Sequence, residues 1–326
     1  MLDKQQFTYT IIYSPQEAGD YDLGFALTHY NMYPWIREEN TLVRVLRTES
    51  SDSIVLAVVE RHQPGTGITG KVLSQTKLRD GDLQWIHRRL AHCLGLGANY
   101  EAMESAARTD SVLRVALEIN KGIRPKRYST IFEATCGAIC AQNVSFGRLY
   151  QMMELLSRGL APHTRWGGKD YHAFPNQHEV AAACEQDLRE CKVGYRAKHI
   201  LKAAEWFVNN PGKLTQSELD QMPRDEAIAE VCAVPGIGPY SAAIVLGAGV
   251  GRQDVFQLDS FTRHILAEMY FDGQDVSDIE LRKFVESRWA GFEGSVAHVL
   301  TTNTHEWAER LGRPGFRRSG AVSDTS

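Results

Sequence analysis

The sequence predicts an α+β protein, with a small antiparallel sheet first and an all-helical region after it. Two observations carry this. Short β-rich runs, bounded by Gly, Pro, Asp and Ser, occur at 7–13, 41–47, 53–60 and 69–75 and then stop. Beyond about residue 98, helical patterns follow one another with Gly, Pro and Asn between them. A chain of 326 residues has room for two domains. The expected divisions are 1–97 for the sheet region, 98–311 for the helical region and 312–326 for a Gly-, Arg- and Ser-rich tail without fixed structure.

Two helices interrupt the strands. One lies around 22–33; the other, 82–96, repeats Leu83, Ile86, Leu90 and Cys93 at helical spacing. Helices are then expected at 100–120, 128–140, 144–158, 177–185, 196–209, 215–232, 239–249, 260–271, 277–289 and 294–310. Gly65 to Val72 fits the spacing of a phosphate-binding loop. Val72 stands where a Ser or Thr would hold magnesium, however, and the segment leads into a strand, so a hairpin turn is expected. Gly247 to Gly251 follows a helix rather than a strand and is no dinucleotide fingerprint.

Composition is that of an ordinary globular chain, 43% hydrophobic and 23% charged, with no apolar run approaching a membrane span. The net charge of −4 counts mildly against a nucleic-acid protein, although a local basic face would suffice. Six cysteines lie scattered without a disulfide-framework pattern, and no charged-plus-apolar leader is apparent, so an intracellular, reducing compartment is expected. Cys136 and Cys140 share a helix face without His or Cys partners nearby and read as buried apolar residues. His298 and His305 share a helix face but stand too far apart to chelate one ion; Trp289, Trp307 and Phe292 read as core.

The most informative stretch is 231–270. A helix ends near Ala233, Pro235-Gly236-Ile237-Gly238 makes a tight turn, and a small-residue helix starts at Pro239. Glycines two apart let another backbone approach, and the first N–H groups of the next helix point outward with the positive end of its dipole. Such a turn can hold a phosphate oxygen without lysine, which softens the charge objection. One helix and one loop downstream, Asp259 stands directly before the helix from Ser260, a favoured N-cap position.

The run V-P-G-I-G-P-Y-S-A-A resembles the helix-hairpin-helix element of the DNA glycosylase superfamily, which places its catalytic aspartate where Asp259 lies. Two further segments resemble the family. In 139–149, Asn143 takes the position of the residue that fills the gap left by an extruded base. In 192–200, Tyr195 takes that of the aromatic wedge beside the orphaned partner. The resemblance implies that Asn143, Arg148 and Arg196 hold the partner base, Tyr195 stacks on it, and Gly236, Ile237 and Gly238 grip phosphate.

The partner-strand set is more similar to the 8-oxoguanine branch, where the partner is cytosine. Bifunctional members carry a lysine just after the hairpin glycines, whose amine forms a Schiff base and leads to strand cleavage. This chain has Tyr240 there, as in the alkylpurine branch, and a phenol forms no Schiff base. The resemblance therefore implies a glycosylase without lyase activity, with an alkylated purine such as 3-methyladenine as first substrate and a modified guanine opposite cytosine as second. It implies damaged double-stranded DNA as partner, a monomer, and no membrane. It places the protein in the cytoplasm of a bacterium or the nucleus of a eukaryote. No iron–sulfur cluster is expected, since no cysteine follows Cys232. Carbonyls of Cys232, Val234 and Ile237 match those that hold a sodium or potassium ion in relatives. Trp35, Trp166 and Tyr171 are candidates for lining the base pocket. The rival class is a non-catalytic helix-hairpin-helix module that binds DNA damage; such an anchor needs neither Asp259 nor the wedge segments.

Overall fold

The computed structural model describes residues 6–29, 33–49, 51–61 and 67–316. The chain opens with β1 (Phe7–Tyr13), α1 (Pro15–Ala18), α2 (Leu23–His29), β2 (Ile36–Glu38), β3 (Thr41–Arg47), β4 (Ile54–Arg61), β5 (Ile68–Ser74) and α3 (Asp80–Leu94). The five strands form one antiparallel sheet in the order β1-β5-β4-β3-β2. Strand alternation sorts the side chains. Leu42, Leu46, Val55, Ala57, Val59 and Val72 face a core closed by Ile86, Leu90 and Cys93 of α3. Val43, Val45, Leu56 and Leu73 face the other way. Arg61 pairs with Ile68, so the Gly65–Val72 run does join a hairpin; residues 62–66 and the end of the expected helix 22–33 at 30–32 lie outside the described residues.

Strands do not stop at residue 98. The hairpin β6 (His163–Trp166) and β7 (Lys169–His172) covers the outer face of the sheet, where Tyr171 and Ala173 join its apolar cluster. Its two-residue turn is Gly167-Gly168, both at positive φ (56° and 81°), as tight hairpins of this length require.

The helices are α4 (Glu101–Ala107), α5 (Ser111–Ile119), α6 (Ile131–Ala141), α7 (Phe146–Leu160), α8 (Gln177–Ala182), α9 (Glu185–Glu190), α10 (Arg196–Asn209), α11 (Gln216–Gln221), α12 (Arg224–Cys232), α13 (Pro239–Val245), α14 (Ser260–Tyr270), α15 (Asp278–Trp289), α16 (Glu293–Leu300) and α17 (Thr304–Arg310). Three of the expected single helices are broken, each for a local reason. In 100–120, Asp110 caps α5 by accepting the N–H groups of Val112 and Leu113. In 215–232, Pro223 forces Met222 into an extended conformation. In 294–310, Asn303 turns left-handed at φ 45°, which places His298 on α16 and His305 on α17 rather than on one face.

Two apolar clusters organise the helices. One gathers α6 to α13 around Phe132, Met153, Ile200 and Val245; the other joins α4 and α5 to α14–α17 around Leu113, Ile265, Trp289 and Trp307. Phe316 belongs to the second, its ring 6.0 Å from Trp307 and its carbonyl accepting the Thr304 hydroxyl at 2.8 Å. Residues 312–316, assigned to the tail from sequence, therefore pack against the body, and 317–326 lie outside the described residues. The sheet is fastened to the first helical cluster by Arg44, whose Nη2 donates to both Glu133 carboxylate oxygens (3.0 and 2.8 Å) and whose Nη1 donates to Arg127 O. Both partners are almost completely buried.

Candidate active site

The hairpin between α12 and α13 is built as its residues dictate. Gly236 adopts φ +89°, and a Cβ there would lie 3.1 Å from His199 Cβ, so both backbone conformation and packing demand glycine. Gly238 is different: it is extended, and nothing lies within 4 Å of where its Cβ would be. Its lack of a side chain leaves the backbone open from outside. Pro239 starts α13, where a missing N–H loses no hydrogen bond.

α13 does not end cleanly. It widens into a π-helical turn, Leu246–Val250, with Gly251 N–H donating to Leu246 O at 3.0 Å. The chain then runs without helix or strand to Asp259. Val255 packs in the first helical cluster and Phe256 and Leu258 against the second, so this segment crosses between them. It is clamped from α16: Gly294 N–H donates to Gln253 O at 2.7 Å, and a Cβ on Gly294 would collide with Val255 O. Asp259 thus stands, half-buried, where the two clusters meet. It caps α14, with Oδ1 accepting the Thr262 N–H at 2.7 Å. A carboxylate held this way keeps one orientation.

The wedge segments are brought to the hairpin. Asn143 sits exposed at the apex between α6 and α7 with φ +54°. Tyr195 precedes α10 in a turn where Lys192 and Gly194 also have positive φ. Arg148 Nη2 donates to Lys192 O at 2.6 Å, and its Nη1 bonds Gln151. Arg196, expected to reach the partner base, is instead 7% exposed. Its guanidinium donates to Gln142 O and lies 4.5 Å from the Tyr195 ring centroid. It ties the Gln142 turn to the Tyr195 turn from beneath. Sequence reasoning missed Gln142, whose Nε2 donates to Gly236 O (3.1 Å) and Ser241 Oγ (3.4 Å), and Phe146, stacked on Tyr150 at 6.0 Å. An amide at a helix end and an aromatic at a helix start were the only signals.

Apolar exposure picks out the same face. Among the described residues, five large hydrophobics are exposed, and Phe146 (50%), Tyr195 (54%) and Tyr240 (48%) are three of them. Single exposed aromatics are ordinary; three gathered on adjoining segments mark a binding surface. Burial pushes the Cys140 thiol up to about 12 despite the nearby Arg196 and Arg148, so this cysteine is inert at neutral pH. Cys136 is buried in the same core. Trp35 and Tyr171 do not join this site. They line a cleft of about 790 Å³ with Tyr33, Tyr150 and Arg158, to which neither Asp259 nor Tyr240 contributes, while Trp166 packs on the outer sheet face. Among the described residues, no helix is long and apolar enough to cross a membrane, and no cluster of three His, Cys, Asp or Glu residues could hold a metal.

No family model matches the chain. It is 23% identical over 230 residues to a probable N-glycosylase/DNA lyase of Methanothermobacter thermautotrophicus, covering 65% of this chain and 71% of that protein. It superposes on the 3-methyladenine DNA glycosylase of Archaeoglobus fulgidus with a TM-score of 0.72 at 20% identity, over 94% of this chain and 99% of that one. An 8-oxoguanine glycosylase/lyase of Clostridium acetobutylicum, bound to double-stranded DNA with cytosine opposite 8-oxoguanine, superposes with a TM-score of 0.67 at 18% identity, over 90% and 93% of the two chains. The fold is that of the helix-hairpin-helix DNA glycosylases. The relatives and structural neighbours are glycosylases for 3-methyladenine and for 8-oxoguanine.

Proposed function

We propose that the protein is a monofunctional DNA glycosylase that extrudes a damaged base from duplex DNA and hydrolyses its N-glycosidic bond, with alkylated purines such as 3-methyladenine as substrates. The observation that carries this reading is Tyr240, half-exposed on the first turn of the hairpin helix, where bifunctional enzymes need a lysine. An aromatic ring there can stack on an electron-poor alkylated base, whose positive charge it attracts.

In this reading the C1′–N bond breaks as positive charge develops on the sugar, and the oriented Asp259 carboxylate stabilises that charge. Water adds to C1′ and the base departs. Gly236 and Gly238 grip a phosphate through backbone N–H groups, while the Ile237 N–H, donated to Val234 O, holds the turn that presents them. Asn143 fills the gap, Tyr195 stacks beside the partner base, and Arg148 faces it, while Arg196 positions Tyr195 and the wedge turn. A sodium or potassium ion would be held by the carbonyls of Cys232, Val234 and Ile237. Val234 O already accepts the Ile237 N–H at 3.1 Å, and a carbonyl keeps a second lone pair for such an ion. The protein would act on chromosomal DNA, in a bacterial cytoplasm or a eukaryotic nucleus.

The test is base release from duplexes carrying 3-methyladenine, 7-methylguanine, hypoxanthine, uracil or 8-oxoguanine, with strand breakage read before and after hot alkali. Release that needs alkali for breakage supports the proposal, and borohydride should trap no covalent complex. Asn143 and Arg148 favour a second reading, a modified guanine opposite cytosine, which release from the 8-oxoguanine duplex alone would support. Tight binding without release from any duplex would leave a non-catalytic damage-binding module.

A further inference from the structure

We infer that Gln142 is a positioning residue that couples the gap-filling wedge to the phosphate-gripping hairpin, so that the two engage the duplex as one unit. The inference rests on the proposed roles of Asn143 and the hairpin, and deepens them.

Gln142 touches all three DNA-facing segments. Its carbonyl accepts the buried guanidinium of Arg196, which in turn lies under the Tyr195 ring. Its side-chain amide donates to Gly236 O at 3.1 Å and Ser241 Oγ at 3.4 Å, one acceptor in the hairpin turn and one on α13. Its chain neighbour is Asn143, the left-handed apex of the wedge turn. Gly236 holds φ +89° in a place where an added Cβ would lie 3.1 Å from His199 Cβ, and its carbonyl is the acceptor that Gln142 reads. A shift of the Asn143 apex relative to the hairpin has to break these amide bonds. Arg148, donating to Lys192 O, is a second strut between the wedge turn and the Tyr195 turn but does not reach the hairpin.

Such a coupling matters only when a base must be levered out. Extrusion from a paired duplex needs the wedge to enter as the base leaves; a lesion in single-stranded DNA is already unstacked. Gln142→Met keeps the side-chain length and helix preference but donates nothing. Loss of a net-favourable hydrogen bond of ordinary strength predicts a roughly five- to tenfold fall in base release from duplex. Release from a single-stranded lesion should change less than about twofold on the same argument. Ser241→Ala, which removes only the longer contact, should give a smaller fall. A role in folding alone would lower both substrates together and lower the melting temperature.

A readout without base release separates this inference from the proposed activity. We would place 2-aminopurine opposite a tetrahydrofuran abasic analogue in duplex DNA and follow its fluorescence on binding. The wild type should unstack the 2-aminopurine and raise the signal, and Gln142→Met should raise it less at saturation. If the wild type releases no base but the signal is lost in the variant, the coupling stands and the glycosylase reading falls. If Gln142→Met matches the wild type in both the signal and the ratio of duplex to single-strand release, or the wild type gives no signal, the coupling is overturned.

Discussion

Replacing Asp259 by asparagine separates the two tasks this residue holds. As a helix cap it offers Oδ1 to the Thr262 N–H at 2.7 Å, and asparagine supplies an equivalent oxygen. Caps of Asn and Asp rank alike, so stability should move by only a few tenths of a kcal/mol, below about 2 °C in melting temperature. The charge is lost outright. Removing one preoriented group that stabilises transition-state charge slows reactions by about 10²–10³-fold, or about 2.7–4 kcal/mol. Asp259→Ala adds loss of the cap, about 1 kcal/mol and about 2–4 °C, with a similar loss of rate. The assay is single-turnover base release from the best duplex of the lesion panel, with affinity for a tetrahydrofuran duplex measured by fluorescence anisotropy. Asp259→Asn should bind as the wild type does and release base at the reduced rate. An asparagine variant that keeps most of the wild-type rate would refute the argument that the carboxylate carries the chemistry. A variant that loses affinity and rate together would show that Asp259 mainly shapes the loop.

The two hairpin glycines should respond differently. Gly236→Ala forces a side chain into positive φ against His199 and should cost about 1–2 kcal/mol of stability, whereas Gly238→Ala should melt like the wild type yet bind duplex more weakly because its methyl stands where DNA would approach. Arg44→Met leaves the buried Glu133 carboxylate without its cation and should destabilise by about 3–5 kcal/mol in urea unfolding; adding Glu133→Leu should recover much of it, and no recovery would mean that the pair does more than neutralise itself. His92 is held neutral, its pKa lowered to about 3 first by burial and then by Arg127 and Arg89, with its ring nitrogens bonded to Tyr128 O and Gln216. In the unfolded chain it protonates near 6.5, so the stability it contributes is present above that pH and is lost as pH falls from about 6.5 toward 3. His92→Gln should flatten the urea midpoint against pH in that window, and an unchanged slope would exclude this histidine as the cause.

Much of the site was legible in the sequence because its signals are local. A Pro-Gly-Ile-Gly turn between helices and an aspartate directly before one are short-range patterns whose backbone consequences follow from φ preferences and capping, and the structure places Gly236 at φ +89° and Asp259 at the N-cap of α14. What was illegible depended on partners distant in the chain. Nothing near Arg196 announces that its acceptor is Gln142 O, 54 residues away, so its guanidinium was assigned to DNA. The β6–β7 hairpin was missed because its four-residue strands are polar on one side and lack an apolar run; Gly167-Gly168 was the one sign of it. The π turn after α13, where Leu246–Val250 lies against α6, has no counterpart in the sequence periodicity.

The net charge of −4 and a DNA partner are reconciled by where the cations go. Arg196 is turned inward to Gln142 O, and Arg148 is committed to Lys192 O and Gln151. The surface these two arginines support presents backbone at Gly236 and Gly238, aromatic rings at Phe146, Tyr195 and Tyr240, and the exposed Lys192 and Lys198 beside them. Backbone N–H groups hold phosphate by direction rather than by charge, and rings hold unstacked bases by contact area. In the proposed reading such a face would discriminate by geometry, gripping where the backbone path is bent and a base has left its stack.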